Sequence, residues 1–160
     1  CGGAGVTATV TWRWLRWSDL TPDLLHMIYK ARIDVFVVEQ TCPYAEIDGL
    51  DPQAWHCLAF DGHPTEGTLL GYARLFGPGD YYAEPAIGRV LTTEAARGRG
   101  LGRALMAECH RFAQASFKTP AVRLNGQGYL KGFYESLGYQ AVRGPYDEDG
   151  IEHWEMLKAG

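Results

Sequence analysis

From Ile87 to Arg103 the chain reads Ile-Gly-Arg-Val-Leu-Thr-Thr-Glu-Ala-Ala-Arg-Gly-Arg-Gly-Leu-Gly-Arg. A strand-like run leads through a short loop into a helical pattern whose first turn is dense in Gly and Arg. Unsatisfied N–H groups at a helix start, together with the helix dipole, favour a bound anion. Gly98, Gly100 and Gly102 let a pyrophosphate approach the backbone, and Arg97, Arg99 and Arg103 add positive charge. A Walker loop is excluded, because no Lys-Ser or Lys-Thr follows the last glycine. The dinucleotide fingerprint fits poorly, because the last glycine spacing is wrong for it.

A second set of reactive side chains precedes this segment. Glu39, Glu46, Asp48 and Asp51 form an acidic stretch, and His56 follows it. Each can accept a proton, and an imidazole titrates close to neutrality. A solvated acidic loop and a packed histidine beside Trp55 are the plain alternatives. Cys42 lacks a basic neighbour and adjoins Pro43, which suits a turn better than a nucleophile. The four cysteines show no C-x-x-C spacing and no companion His pair, so no metal site is expected. They read as reduced thiols of a cytoplasmic protein, with Cys57 and Cys109 as small core residues.

The elements that must hold these residues follow from periodicity and punctuation. Thr9 to Trp17 reads as a strand. Thr21, Pro22 and Asp23 start a helix expected to run to about Phe36. Glu39 to Asp51 reads as a loop or short helical turn. Trp55 to Asp61 and Thr68 to Phe76 form a hairpin, and Ala86 to Thr92 is a further strand. A helix from about Gly98 places Leu101, Leu105, Cys109 and Phe112 on one face. Ala121 to Asn125 is a short strand, Tyr129 to Leu137 a short helix ended by Gly138. Gln140 to Tyr146 and Ile151 to Met156 close as a hairpin through Asp149-Gly150. This order predicts an α/β (α+β) fold, a mixed central sheet with helices on both faces. Residues 1–8 are expected to be a flexible lead or a remnant of expression, and 9–160 one domain. With 160 residues, 46% of them hydrophobic, the chain can bury a sizeable core. The net charge of -4 argues against nucleic acid, and no apolar run suits a membrane helix.

The Gly/Arg segment resembles the acetyl-CoA signature of the GNAT superfamily of N-acyltransferases, Arg/Gln-x-x-Gly-x-Gly/Ala, with Arg97, Gly100 and Gly102 at its defined positions. The stretch from Asn125 to Tyr139 resembles that family's strand and helix ending in Phe-Tyr-Glu-x-Leu-Gly-Phe, with Leu130 where Ala is common and Gln127 where Asn is common. Arg32 to Asp51, with Val-Phe-Val-Val-Glu-Gln and Cys-Pro-Tyr, is similar to the ElaA-like branch, as is the position of His56.

The resemblance implies a GNAT fold and acetyl transfer from acetyl-CoA to a primary amine by direct attack in a ternary complex. It implies that amides of Gly98 to Arg103 hold the pyrophosphate, that Leu91 and Thr92 pair with the pantetheine, and that Gln127 supports the cofactor. A backbone N–H near Leu91 or Thr92 would polarise the carbonyl, and Tyr134 would protonate the departing thiolate. The base is left among Glu39, Glu46, Asp48, Asp51 and His56. Glu46 and Asp48 are expected to border an acidic acceptor cleft selecting a cationic amine. The partners expected are acetyl-CoA and a small amine, and a homodimer is compatible with the reading. A non-catalytic acyl-CoA-binding regulator and an enzyme acting on protein N-termini or lysines remain as alternatives.

Overall fold

The computed structural model describes residues 10–40, 46–62, 67–119, 121–148 and 150–159. The expected lead and the Cys42-Pro43-Tyr44 element lie outside the described residues. Seven strands form one mixed sheet: β1 (Val10–Arg16), β2 (Trp55–Asp61), β3 (Thr68–Phe76), β4 (Ala86–Thr92), β5 (Val122–Gln127), β6 (Gln140–Glu148) and β7 (Ile151–Lys158). Their order across the sheet is β1-β2-β3-β4-β5-β7-β6, and β4–β5 is the parallel pair. The helices are α1 (Pro22–Arg32), α2 (Leu101–Phe117) and α3 (Lys131–Ser136). No helix is long and apolar enough to cross a membrane.

Alternation along β2 and β3 divides the core in two. Leu58, Phe60 and Tyr72 pack with Ile28 and Ala31 of α1 on one face. Cys57, Ala73 and Leu75 pack with Leu105, Met106 and Cys109 of α2 on the other. Cys57 and Cys109 are both fully buried free thiols. Gly71 lets α2 approach the sheet, since a Cβ there would stand 3.1 Å from a methyl carbon of Leu101.

The helix starts obey local chemistry. Thr21 Oγ1 accepts the Leu24 N–H at 3.1 Å, Pro22 occupies the first turn, and Asp23 faces the positive end of the dipole. The expected single helix to Phe36 is instead α1 followed by a π-helical segment, Ile33–Glu39. There the Gln40 N–H bonds the Val35 carbonyl, five residues back, at 3.0 Å. The widened turn buries Val35 and Phe36 side by side, which 3.6-residue periodicity alone does not foresee. The helix expected from about Gly98 begins at Leu101, after a 3-10 turn at Glu94–Ala96.

Candidate active site

Strands β4 and β5 share only two pairs, Ala86 with Arg123 and Ile87 with Leu124. Beyond them the strands diverge, leaving one edge of Gly88–Thr92 and one edge of Asn125–Gln127 without a strand neighbour among the described residues. The divergence begins at a bulge in β4. Tyr72 pairs with Leu91 and Arg74 with Gly88, so a two-residue step on β3 faces a three-residue step on β4. Arg89 sits in the bulge with φ 51°, the left-handed region, and bulges of this kind bend a strand. The gap between the strands is a cavity of about 300 Å³.

The cavity has walls on both faces of the sheet. On the α2 and α3 side stand Leu124, Gly126 and Tyr134. On the α1 side stand Asp48, Arg74, Arg89, Asn125, Glu148 and His153. Tyr134 is 7% exposed, and burial pushes its phenol up to about 12, so it holds its proton at neutral pH. Among the described residues no hydrogen bond engages its hydroxyl. Its ring lies against Gly126, where a Cβ would stand 2.9 Å from a ring carbon. That close approach requires glycine.

At the end of β4, Thr93 donates its N–H to the Leu70 carbonyl at 2.9 Å and its hydroxyl to the Leu69 carbonyl at 2.8 Å. The chain then turns through Gly98 and Gly100, both left-handed at φ 81° and 70°. Gly100 is the N-cap of α2 and offers no side chain to the helix start. The first amides of α2 therefore depend on an outside acceptor. Leu101 is anchored in the core, Gly102 lies under Phe133, and Leu91 packs toward α1 while Thr92 is half-buried. Gln127 lines the cavity.

The loop arginines are held by protein partners. Arg97 bonds Glu39 at 2.5 Å, Arg99 stands 3.8 Å from Asp61, and Arg103 donates to Ser136 Oγ at 2.9 Å while lying over the Phe133 ring. Glu39 is thus a tether between the π-helical segment and the loop, not a carboxylate aimed into the cavity.

His56 is 1% exposed and does not line the cavity. Its Nε2 donates to the Asp51 carbonyl at 3.0 Å, because a carbonyl only accepts, and its Nδ1 accepts from the Tyr72 hydroxyl at 2.6 Å. Burial holds its pKa below the ordinary imidazole value. Both nitrogens are occupied, so the expected role of His56 as base gives way to a structural one.

The expected acidic cleft is corrected in the same way. Glu46, Asp48 and Asp51 meet Arg32, Arg74 and Arg89 in one cluster. Arg32 bonds Glu46 and Asp51 at 2.7 Å each, and Arg89 Nε stands 3.1 Å from Glu46. Arg74 grips Asp48 with two nitrogens, 2.9 Å each, and reaches Asp51 at 3.1 Å. Burial pushes Asp48 up, yet Arg74, the Leu50 N–H and Arg89 together hold it below the usual carboxylate range. Three cations match three anions, so Glu46 and Asp48 supply no net negative field to a ligand. Glu46 is 4% exposed and turns away from the cavity. Single arginines in the apolar runs Gly-Tyr-Ala-Arg74-Leu and Ile-Gly-Arg89-Val-Leu were the signal for this pairing.

Asn125, Glu148 and His153 were not singled out by sequence. Tyr146 donates to Asn125 Oδ1, and Asn125 Nδ2 donates to Glu148 at 2.9 Å. His153 Nδ1 donates to the Ile151 carbonyl at 2.8 Å, with its Nε2 3.6 Å from Glu148. Among the described residues no group of three or more His, Cys, Asp or Glu is arranged to hold a metal ion.

Comparison with known proteins matches the family model described as an acetyltransferase (GNAT) domain to residues 32–159. A UPF0039 protein of Synechocystis is 39% identical over 148 residues, covering 92% of this chain and 94% of that protein. Among solved structures, an acyl-CoA N-acyltransferase from Pseudomonas aeruginosa superposes with TM-score 0.86 at 38% identity, covering 94% of this chain and 99% of that one. Escherichia coli ElaA superposes with TM-score 0.82 at 34% identity, covering 93% and 99%.

Proposed function

Because the chain belongs to the GNAT acetyltransferase-domain family, we propose that it transfers an acetyl group from acetyl-CoA to a primary amine by direct attack in a ternary complex. The observation that carries the reading is one cavity, open between β4 and β5, with a buried protonated phenol on its wall and an uncapped helix start at the end of the same strand. The amides opening α2 hold the pyrophosphate, with Gly98, Gly100 and Gly102 allowing its approach. The open edge of β4, at Leu91 and Thr92, pairs with the pantetheine as a neighbouring strand would, and Gln127 borders the same channel. An N–H of this edge polarises the thioester carbonyl. Tyr134 delivers its proton to the departing sulfur, and burial keeps that proton in place until it is needed.

The acceptor binds on the α1 side, and its class does not follow from charge alone. Asp48 and Glu148 face it, but so do Arg74 and Arg89. Free-thiol release from acetyl-CoA, followed with polyamines, amino sugars, amino acids and short peptides, tests the reading. Acceptor-stimulated release with one of the small amines supports it. Release with peptides alone moves the activity to protein acceptors, and no stimulated release with any acceptor favours a binding module.

A further inference from the structure

The cavity needs a proton acceptor on the side from which the amine arrives, and the residues first considered for that task are engaged elsewhere. Glu39 is tied to Arg97, Glu46 and Asp51 are buried among arginines, and His56 uses both ring nitrogens. Resting on the reading above, we infer that His153 Nε2 is the base that takes the amine's proton and that Glu148 positions and stabilises the resulting imidazolium.

Three observations carry this. His153 pairs across β5 with Gln127 and across β6 with Tyr146, so its side chain shares their face of the sheet, opposite the face of Gly126 and Tyr134. The divergence of β4 and β5 joins the two faces in one cavity, lined by both His153 and Tyr134. Acid and base thus approach the reacting centre from opposite sides. Second, the tautomer is fixed. Nδ1 donates to the Ile151 carbonyl, which leaves the neutral ring's lone pair at Nε2, with no hydrogen bond occupying it among the described residues. Third, a carboxylate is held where the product cation needs it. Glu148 Oε2 is 3.6 Å from Nε2 and is fixed by Asn125, itself held by Tyr146.

The step balances without another reactant. The amine nitrogen's lone pair forms the N–C bond, the C–S bond breaks, Nε2 takes the proton lost from nitrogen, and Tyr134 gives one to sulfur. Water returns the proton from His153 to Tyr134. The titratable and charged groups that adjoin the imidazole or share its cavity are Tyr146 and Glu148 from β6, Tyr81 and Tyr82 from the segment before β4, Tyr129 and Tyr134 from the segment after β5, and Asp48, Arg74 and Arg89 across the cavity.

The test compares wild type and His153→Gln by free-thiol release with two nucleophiles. One is the best primary amine among polyamines, amino sugars and amino acids. The other is hydroxylamine, whose weakly basic nitrogen sheds its proton to water. His153→Gln is expected to lower kcat/KM for the amine by ~10²–10⁴-fold, with a much smaller loss for hydroxylamine and the acetyl-CoA thermal shift retained. Glu148→Gln is expected to lower kcat/KM for the amine more than for hydroxylamine, because the imidazolium loses its neighbouring carboxylate. Wild-type amine turnover in His153→Gln, equal losses with both nucleophiles in that variant, or unchanged amine turnover in Glu148→Gln overturns the inference. A wild-type protein inert with every amine overturns the underlying reading instead, and this inference with it.

Discussion

The two flanks of the β4–β5 gap are built on opposite principles. On the β4 flank, Arg32, Arg74 and Arg89 are matched with Glu46, Asp48 and Asp51 in a cluster of which four members are at most 4% exposed. On the β5 flank, Tyr134 and His153 line the cavity, and each has one polar atom without a hydrogen bond among the described residues. Density of paired charge therefore marks scaffolding here, even though Glu46 Oε2, Asp51 Oδ2 and Arg74 Nε are buried without a hydrogen bond among the described residues. Buried carboxylates among arginines fix the segment from Glu46 to Asp51, and removing one partner leaves a charge stranded. The Tyr134 hydroxyl and His153 Nε2 are left without a hydrogen bond among the described residues, although His153 Nδ1 is held by the Ile151 carbonyl and Glu148 stands 3.6 Å from Nε2.

Four substitutions or conditions sharpen or break this contrast. The largest effect is expected on the β5 flank. Tyr134→Phe retains the ring and its packing on Gly126, so stability changes little, while kcat falls by ~10²–10⁴-fold. Turnover near wild type would return Tyr134 to packing alone. On the β4 flank the pattern reverses. Arg32→Ala leaves Glu46 and Asp51 buried without their shared partner and is expected to cost ~3–5 kcal/mol in urea unfolding. A loss no larger than that of an exposed ion pair, under ~1 kcal/mol, would show the cluster to be peripheral.

Gly126→Ala probes the seam between scaffold and chemistry. The new Cβ meets the Tyr134 ring at 2.9 Å and Leu124 at 3.2 Å, so an overpacking cost of ~1–3 kcal/mol is expected, along with reduced turnover. Unchanged melting and unchanged kcat together would mean that the ring is not held where its proton matters. The smallest effect is that of acid. Burial depresses His56 and brings His110 down to about 4 in the folded state. The unfolded chain then binds more protons, so stability is full above the ordinary imidazole range near 6.5 and is lost as pH falls through it toward about 4. A melting temperature that rises from pH 7 to pH 5 would contradict the buried, neutral state of these rings.

Much of the fold was legible because its local signals agree with its packing. The hairpin of β2 and β3, strand β4 and the Thr21 helix start fall where alternation, turn residues and capping chemistry place them. The π-helical segment was not legible, since Val35 and Phe36 fit a regular helix equally well until they are packed with Leu58 and Tyr72 of the sheet. Within the candidate site, short motifs singled out the Gly/Arg loop and Tyr134, which the structure sets at the end of β4 and on the cavity wall. The acidic loop misled because its counter-charges lie far along the chain, at Arg32 before it and at Arg74 and Arg89 in later strands. His153 was silent for a related reason. Alternation along β7 says which residues share a face, but only the divergence of β4 and β5 says which face opens onto the cavity.

The central claim is that the helix start after β4 receives the pyrophosphate of an acyl-CoA. Thermal unfolding of wild type and Gly100→Glu with and without acetyl-CoA tests it most directly, each protein being read against its own unliganded melting temperature. At a ligand concentration about 100 times Kd, wild type is expected to gain ~2.7 kcal/mol of stability. Gly100→Glu is expected to gain none, because its carboxylate occupies and repels the anion's place at the left-handed N-cap of α2. An equal stabilisation of both proteins by acetyl-CoA would contradict the account.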